Sequence, residues 1–158
     1  MFCLYATDSE EYYSTTSVVC VSSDKAKLEE RIEKEEASYK AVLAQYLLYE
    51  QINKRLKEIV ETLPENCMKR PAPLRKVKGN MTREEHKQYK NEKDAYDLLM
   101  REYSDSRCED LARREEEAVL LYCLENNISV ESLERKLLFG FNWKPEENTF
   151  HIEEVEEI

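Results

Sequence analysis

Residues 28–63 read LEERIEKEEASYKAVLAQYLLYEQINKRLKEIVETL and contain neither Gly nor Pro. In alternating steps of four and three, one side of this stretch presents Leu28, Ile32, Glu35, Tyr39, Val42, Tyr46, Tyr49, Asn53, Leu56, Val60 and Leu63. A stripe with this period turns one face of a long helix toward a partner helix. Polar residues within such a stripe, here Glu35 and Asn53, often fix register or oligomeric state. The pattern predicts a long helix over residues 23–63.

A second helical pattern begins at Thr82, which lies three residues before Glu85, the spacing of a capping box. Apolar residues then recur with helical spacing, but the polar run 104–106 leaves open whether residues 82–125 form one helix or two. Together with residues 23–63, this pattern predicts a long antiparallel helical hairpin.

Both ends of the chain are typical of β-strands. Residues 1–22 contain two runs of β-forming residues separated by a polar loop, and residues 141–158 include an alternating apolar and polar run. We expect these segments to pair in one small antiparallel sheet. The fold class is therefore α+β, with a sheet from both chain ends and a helical hairpin.

The segment between the second long helix and the last strand predicts a short third helix over residues 129–139, which Gly140 ends. Trp143 follows this stop, and we expect it to pack in the core, as most tryptophans do. The length of the chain is typical of a single domain over residues 1–158.

Composition limits the classes of function. The net charge of −10 disfavours direct binding to DNA or RNA, because phosphates repel acidic surfaces. The chain shows neither a basic leader followed by an apolar run nor a membrane-spanning stretch. Its five cysteines form no CxxC pair, which favours free thiols in a reducing cytoplasm.

The sequence offers little for catalysis. His86 and His151 are the two histidines, and neither has the spacing of a nucleophile relay or of a metal site. We therefore predict no catalytic residue, no metal site and no cofactor, and interpret the chain as a non-enzymatic protein.

A basic, proline-containing connector over residues 64–81 is the best candidate for a contact site. Its cationic side chains are Lys69, Arg70, Arg75, Lys76 and Lys78. Proline stiffens the connector and lowers the entropy cost of presenting these charges. The alternative interpretation is a solvated, mobile linker. Tyrosines of the first helix are the second candidate set, as a partner surface or as interhelical packing: Tyr39, Tyr46 and Tyr49.

The chain ends resemble small uncharacterised proteins of tailed bacteriophages. The resemblance lies in Phe2-Cys3-Leu4-Tyr5-Ala6-Thr7, the Tyr12-Tyr13 loop, Val18-Val19-Cys20-Val21, Ser23-Asp24-Lys25-Ala26 and Phe150-His151-Ile152-Glu153-Glu154-Val155. It implies an accessory protein in the cytoplasm of a bacterial host, where blocking or sequestering a host factor is a common task.

Three functions fit the sequence. The first is a protein-binding module that contacts another protein through the hairpin and the connector, and that is compatible with a homodimer. The second is an oligomer that sequesters a small nucleotide-like anion. The third is an acidic nucleic-acid mimic, since residues 146–158 contain six Glu and no Lys or Arg.

Overall fold

The computed structural model describes residues 1–9, 14–77, 79–140 and 142–156. The described chain has an α+β fold, as the sequence predicts. In chain order its elements are β1 (Phe2–Ser9), β2 (Ser14–Ser22), α1 (Lys25–Thr62), α2 (Arg83–Asn126), 3-10 helices at Val130–Ser132 and Arg135–Leu137, and β3 (Asn148–Glu154).

The single domain stays a prediction from the sequence. The contacts group the chain into two compact units. Unit 1 contains Met1–Asn53 and Arg135–Ile158, and unit 2 contains Lys54–Glu134. The boundary between them falls within α1.

Unit 1 contains the predicted sheet, which is antiparallel and has the strand order β2-β1-β3. Tyr5 on the central strand pairs with Val18 on one side and with His151 on the other. The register of β1 and β2 shifts at this point, because Leu4 pairs with Cys20 and Val19 forms a bulge. Both chain ends therefore meet in one sheet, as predicted.

The predicted C-terminal sheet segment, residues 141–158, contributes β3 alone. Asn142 and Trp143 lie in no regular element, and Phe141 lies outside the described residues. The expectation that Trp143 packs in the core is wrong, since its side chain is 83% exposed.

The core of unit 1 contains Cys3 and Leu4 from the central strand and Leu28, Tyr49 and Ile52 from α1. Leu4 is fully buried. The helix begins after Asp24, whose Oδ1 accepts a hydrogen bond from the Ala26 N–H at 3.0 Å, in the manner of an N-cap.

The predicted short helix over residues 129–139 is replaced by the two 3-10 helices. In unit 1 the side-chain amide of Asn53 binds the second of these: its Nδ2 donates to the Leu137 carbonyl at 2.9 Å, and its Oδ1 accepts from the Phe139 N–H at 3.0 Å. Phe139 has a left-handed φ of 56°, whereas Gly140 does not. The backbone therefore turns one residue earlier than the sequence indicates.

In unit 2 the end of α1 packs against α2 in the antiparallel sense. Arg55 forms a two-bond ion pair with Glu125, at 3.1 and 2.6 Å, and Arg113 donates to the carbonyl of Pro64 at 3.2 Å. The buried apolar residues of the two segments are Leu56, Ile59, Val60, Ala118, Val119 and Cys123. This pairing is the predicted helical hairpin.

The structure also answers whether residues 82–125 form one helix or two, because α2 is continuous. Both hydrogen bonds of the predicted capping box are present between Thr82 and Glu85, at 2.8 and 3.2 Å. Asn127 ends the helix with a left-handed φ of 52°.

Candidate functional site

The connector lies extended along α2 within unit 2. The Asn66 N–H donates to Asp110 Oδ1 at 2.9 Å, and the Met68 N–H donates to Ser106 Oγ at 2.8 Å. The connector and α2 run in opposite directions, because Asn66 binds Asp110 whereas Met68, further along the connector, binds the earlier helix residue Ser106. These bonds anchor the start of the connector, which disfavours the interpretation of this part as a mobile linker.

Asp110 is the main anchor of the connector. It is 4% exposed, and its carboxylate also accepts hydrogen bonds from Arg113 at 3.0 Å and Arg114 at 2.9 Å. The backbone N–H of Asn66 lowers the pKa of Asp110 most, and the two arginines lower it further, whereas burial acts in the opposite direction. Asp110 is therefore held as a buried, fully hydrogen-bonded carboxylate.

Asp110 is not among the site residues predicted from the sequence. Its spacing to two arginines, at three and four residues along one helix, was a usable signal for an ion pair. Its bond to the connector could not be predicted, because Asn66 is 44 residues away in the chain.

A groove of about 410 Å³ lies between the first part of the connector and α2. Its lining residues are Glu65, Cys67, Arg70, Met100, Tyr103, Ser104, Arg107, Cys108, Asp110, Leu111 and Arg114. The Arg107 guanidinium lies over the Tyr103 ring, 5.7 Å from the ring centroid. The groove thus combines cationic groups with an aromatic ring.

The groove retains positive charge after its internal pairs are counted. Arg114 is bound by Asp110 at 2.9 Å and lies 3.9 Å from Glu65, so its charge is compensated. The three arginines of the lining exceed its two acidic residues by one positive charge. Among the described residues, no acidic side chain lies within ion-pair distance of Arg70 or Arg107. These two guanidiniums can therefore receive an anionic group from outside.

The other predicted cations of the connector differ in their surroundings. Arg75 is bound by Glu92 on α2 at 2.6 Å. Lys69 and Lys76 are exposed, and Lys78 lies outside the described residues. Among the predicted connector cations that the structure describes, Arg70 alone lines the groove.

The predicted tyrosines belong to unit 1. Tyr49 is 6% exposed and packs in the core, which favours the packing interpretation for this residue. Tyr46 is half-buried. Tyr39 lines a cavity of about 460 Å³ whose other lining includes four glutamates and one lysine: Glu35, Glu36, Glu146, Glu147 and Lys40. That acidic lining disfavours an anion at Tyr39.

The remaining C-terminal glutamates lie elsewhere in unit 1. Glu153 and Glu154 belong to β3, Glu156 follows it, and Glu157 lies outside the described residues. The sequence-based hypothesis of a nucleic-acid mimic requires charges spread over one broad face, and it stays a prediction.

The two histidines lie in different units. In unit 1 His151 stacks on Tyr5 with the ring centroids 5.0 Å apart, and its Nε2 lies 3.5 Å from Glu153. In unit 2 His86 lies in the first turn of α2 and donates its N–H to the Thr82 carbonyl. Within the described ranges, no cluster of three or more His, Cys, Asp and Glu side chains could hold a metal ion.

No helix within the described parts of the chain is long and apolar enough to span a membrane. No family model, curated protein or solved structure matches the chain.

Proposed function

We propose that this chain is a non-enzymatic protein-binding module, and that the groove of unit 2 holds an acidic segment of its partner. One observation supports this most: Arg70 and Arg107 line the same groove and have no acidic partner among the described residues. Two uncompensated guanidiniums beside a tyrosine form a surface suited to carboxylates.

The chemistry of these side chains fits such a partner. A guanidinium can bind a carboxylate through two parallel hydrogen bonds, so it gives both affinity and orientation. Arg and Tyr are also the residue types most enriched among the side chains that dominate binding energy at interfaces. Tyr103 orients Arg107 through its ring face, which reduces the conformational freedom lost on binding.

The anchored connector supports the same proposal. Hydrogen bonds from Asn66 and Met68 to α2 fix the backbone that precedes Arg70. A partner therefore meets a surface that is already ordered on one side, and the entropy cost of association is lower than for a free loop.

The resemblance of the chain ends to small phage proteins supports a further part of the proposal. We propose that the partner is a factor of a bacterial host and that binding inhibits it. This part depends on the identity of the partner, whereas the groove hypothesis does not.

The double variant Arg70→Glu, Arg107→Glu tests the groove. The chain is used to capture its partner from the cells that naturally contain it, the partner is purified, and affinities are measured directly. We expect the variant to bind at least about tenfold more weakly, and wild-type binding to weaken as salt rises. Unchanged affinity would overturn the groove as the contact site.

A matched control is Lys90→Glu, Lys93→Glu. Both lysines are exposed on α2 and neither lines the groove. This variant changes the net charge by the same amount, so it separates a local contact from general attraction between charges. We expect it to retain wild-type affinity within about twofold.

A small nucleotide-like anion is the second candidate, and the size of the groove favours it. At about 410 Å³ the groove falls within the range of about 300–1,000 Å³ that is usual for small-molecule sites. ATP and pyrophosphate would then raise the melting temperature of the wild type but not of Arg70→Glu, Arg107→Glu. A protein-binding groove predicts no such rise with either probe.

A further inference from the structure

Strand β2 forms one edge of the sheet in unit 1. In the order β2-β1-β3 it has a described neighbour on one side only. One row of its backbone N–H and C=O groups is therefore available to another strand. The sequence of β2, STTSVVCVS, contains no charged residue and no proline, which are two of the usual means of blocking such an edge. A third, a β-bulge, is present at Val19 and leaves the edge regular from Ser14 to Val18.

The exposed side chains of β2 point to the same conclusion. Its residues from Ser14 to Val19 are all exposed, and 56% of Val18 and 49% of Val21 are accessible to solvent. Thr and Val are strong β-formers. An exposed, uncharged edge of this composition is a template for pairing with a further strand.

The opposite edge of the sheet has a different composition. Strand β3 contains Glu153 and Glu154 together with His151. Charged side chains at an edge disfavour the addition of another strand. Contacts from β2 of one copy to β3 of the next, which would generate an open filament, are therefore disfavoured. Of the two edges of the described sheet, that of β2 alone is suited to pairing, and such an assembly closes at two copies.

We propose that two copies of this chain form a dimer by antiparallel pairing of their β2 strands about a two-fold axis. The bulge at Val19 limits the regular part of the edge to Ser14–Val18. Pairing centred on Thr16 places it opposite Thr16 of the partner subunit and places Ser14 opposite the partner's Val18. Every opposed pair is uncharged.

The lack of charge on β2 allows a second copy to pair at this edge despite the net negative charge of the chain. Each copy has a net charge of −10, so charged surfaces of two copies repel each other. A two-fold pairing through β2 joins the copies at a strand without charge, and threonine pairs across a strand contact are favourable. The contact lies in unit 1 and does not involve the groove of unit 2. The failure of this proposal would therefore leave the proposed function unaffected, and the reverse also holds.

The sheet provides a matched pair of positions for the test. Thr7 on β1 pairs with Thr16 on β2 and with Thr149 on β3, so one row of the sheet carries the same residue at both edges. Thr16→Lys places two like charges at the proposed axis. Thr149→Lys adds the same charge in the same row at the edge that we expect to stay unpaired.

Self-association is measured by sedimentation equilibrium and light scattering from about 10 to 500 μM. We expect the wild type and Thr149→Lys to form dimers, and Thr16→Lys and Thr16→Asp each to associate at least about tenfold more weakly. An equimolar mixture of Thr16→Lys and Thr16→Asp should recover a heterodimer, because the charges across the axis are then opposite. Circular dichroism checks that each variant is folded.

Thr16→Val controls for the lost hydroxyl, whose Oγ1 lies 3.0 Å from that of Thr7. It retains the branched shape without charge, so we expect it to remain dimeric. A wild type that is monomeric over the whole range would overturn the proposal. The proposal would also be overturned if Thr16→Lys still formed dimers as tightly as the wild type, or if Thr149→Lys weakened the dimer as much as Thr16→Lys. A mixture of Thr16→Lys and Thr16→Asp that failed to associate would overturn it as well.

Discussion

Asn53 and Phe139 are joined by a hydrogen bond of 3.0 Å from the backbone N–H of Phe139 to Oδ1 of Asn53, although 86 residues separate them in the chain. The same amide donates to the Leu137 carbonyl at 2.9 Å. Phe139 has a left-handed φ of 56°, a conformation that costs energy for a residue with a bulky side chain. One side chain of α1 thus stabilises a strained turn.

We expect Asn53→Ala to lower the free energy of unfolding by about 1–3 kcal/mol, because the Phe139 N–H loses its acceptor. Urea denaturation measures this change. Asn126→Ala is the control, since its amide donates to the Tyr122 carbonyl one turn earlier on an exposed helix surface, and we expect a change within about 0.5 kcal/mol. Equal effects of the two variants would contradict the role of Asn53.

Leu56 tests the core of unit 2. It is fully buried, so Leu56→Ala should lower the free energy of unfolding by about 2–5 kcal/mol through lost burial and a residual cavity. Leu124→Ala is the matched control, because 79% of Leu124 is exposed, and we expect a change within about 0.5 kcal/mol. Denaturant unfolding measures the free energy for both variants. A smaller loss of stability in Leu56→Ala than in Leu124→Ala would contradict the burial of Leu56 in the core.

Asp110 makes the stability of unit 2 depend on pH. Its folded pKa lies below the ordinary value, so its stabilising effect is fully present above about pH 4 and is lost as pH falls through the folded pKa. We expect Asp110→Asn to have a lower urea midpoint than the wild type at neutral pH, and the difference to disappear in acid.

The acid dependence is specific to Asp110 if another carboxylate of α2 does not show it. Asp94→Asn, at an exposed position of the same helix, is the control, and its midpoint should stay close to that of the wild type throughout. If the difference in urea midpoint between the wild type and Asp110→Asn grows as the pH falls, the stabilising role of the ionised Asp110 carboxylate is wrong.

The two glycines should respond to alanine in opposite ways. Gly79 has a φ of 64°, so Gly79→Ala is strained and should lower the free energy of unfolding by about 1–2 kcal/mol. At Gly140 a Cβ would lie 3.7 Å from the nearest backbone atom, an ordinary contact. Gly140→Ala should therefore raise the free energy of unfolding by about 0.4–1 kcal/mol, because it restricts the unfolded chain. Thermal unfolding compares the two, and a loss of stability at Gly140 would contradict this geometry.

The parts of the fold that local chemistry determines could be predicted from the sequence. The capping box of Thr82 and Glu85 sets the start of α2, and this signal lies within the first turn of the helix. The heptad pattern likewise predicted α1, because apolar residues recur with the helical period and no helix-breaking Gly or Pro interrupts them.

The parts that distant contacts determine could not be predicted. Residues 129–139 have the start and stop signals of a helix, but hydrogen bonds to Asn53 hold their end in a 3-10 turn instead. Trp143 is large and apolar, yet no local rule indicates whether the core has room for it. The same distinction applies to the candidate site. Arg70 was predicted from a cluster of charges in the sequence, whereas Tyr103 and Arg107 line the same groove only because the connector lies along α2.

Cys108 gives experimental access to the groove. All five cysteines are free thiols, and Cys108 is the exposed one. Cys3 and Cys123 are buried, and burial raises the pKa of the Cys123 thiol, which slows its reaction with alkylating reagents. A maleimide fluorophore should therefore attach first at Cys108, on the wall of the groove, where its emission would report occupancy without an engineered label site.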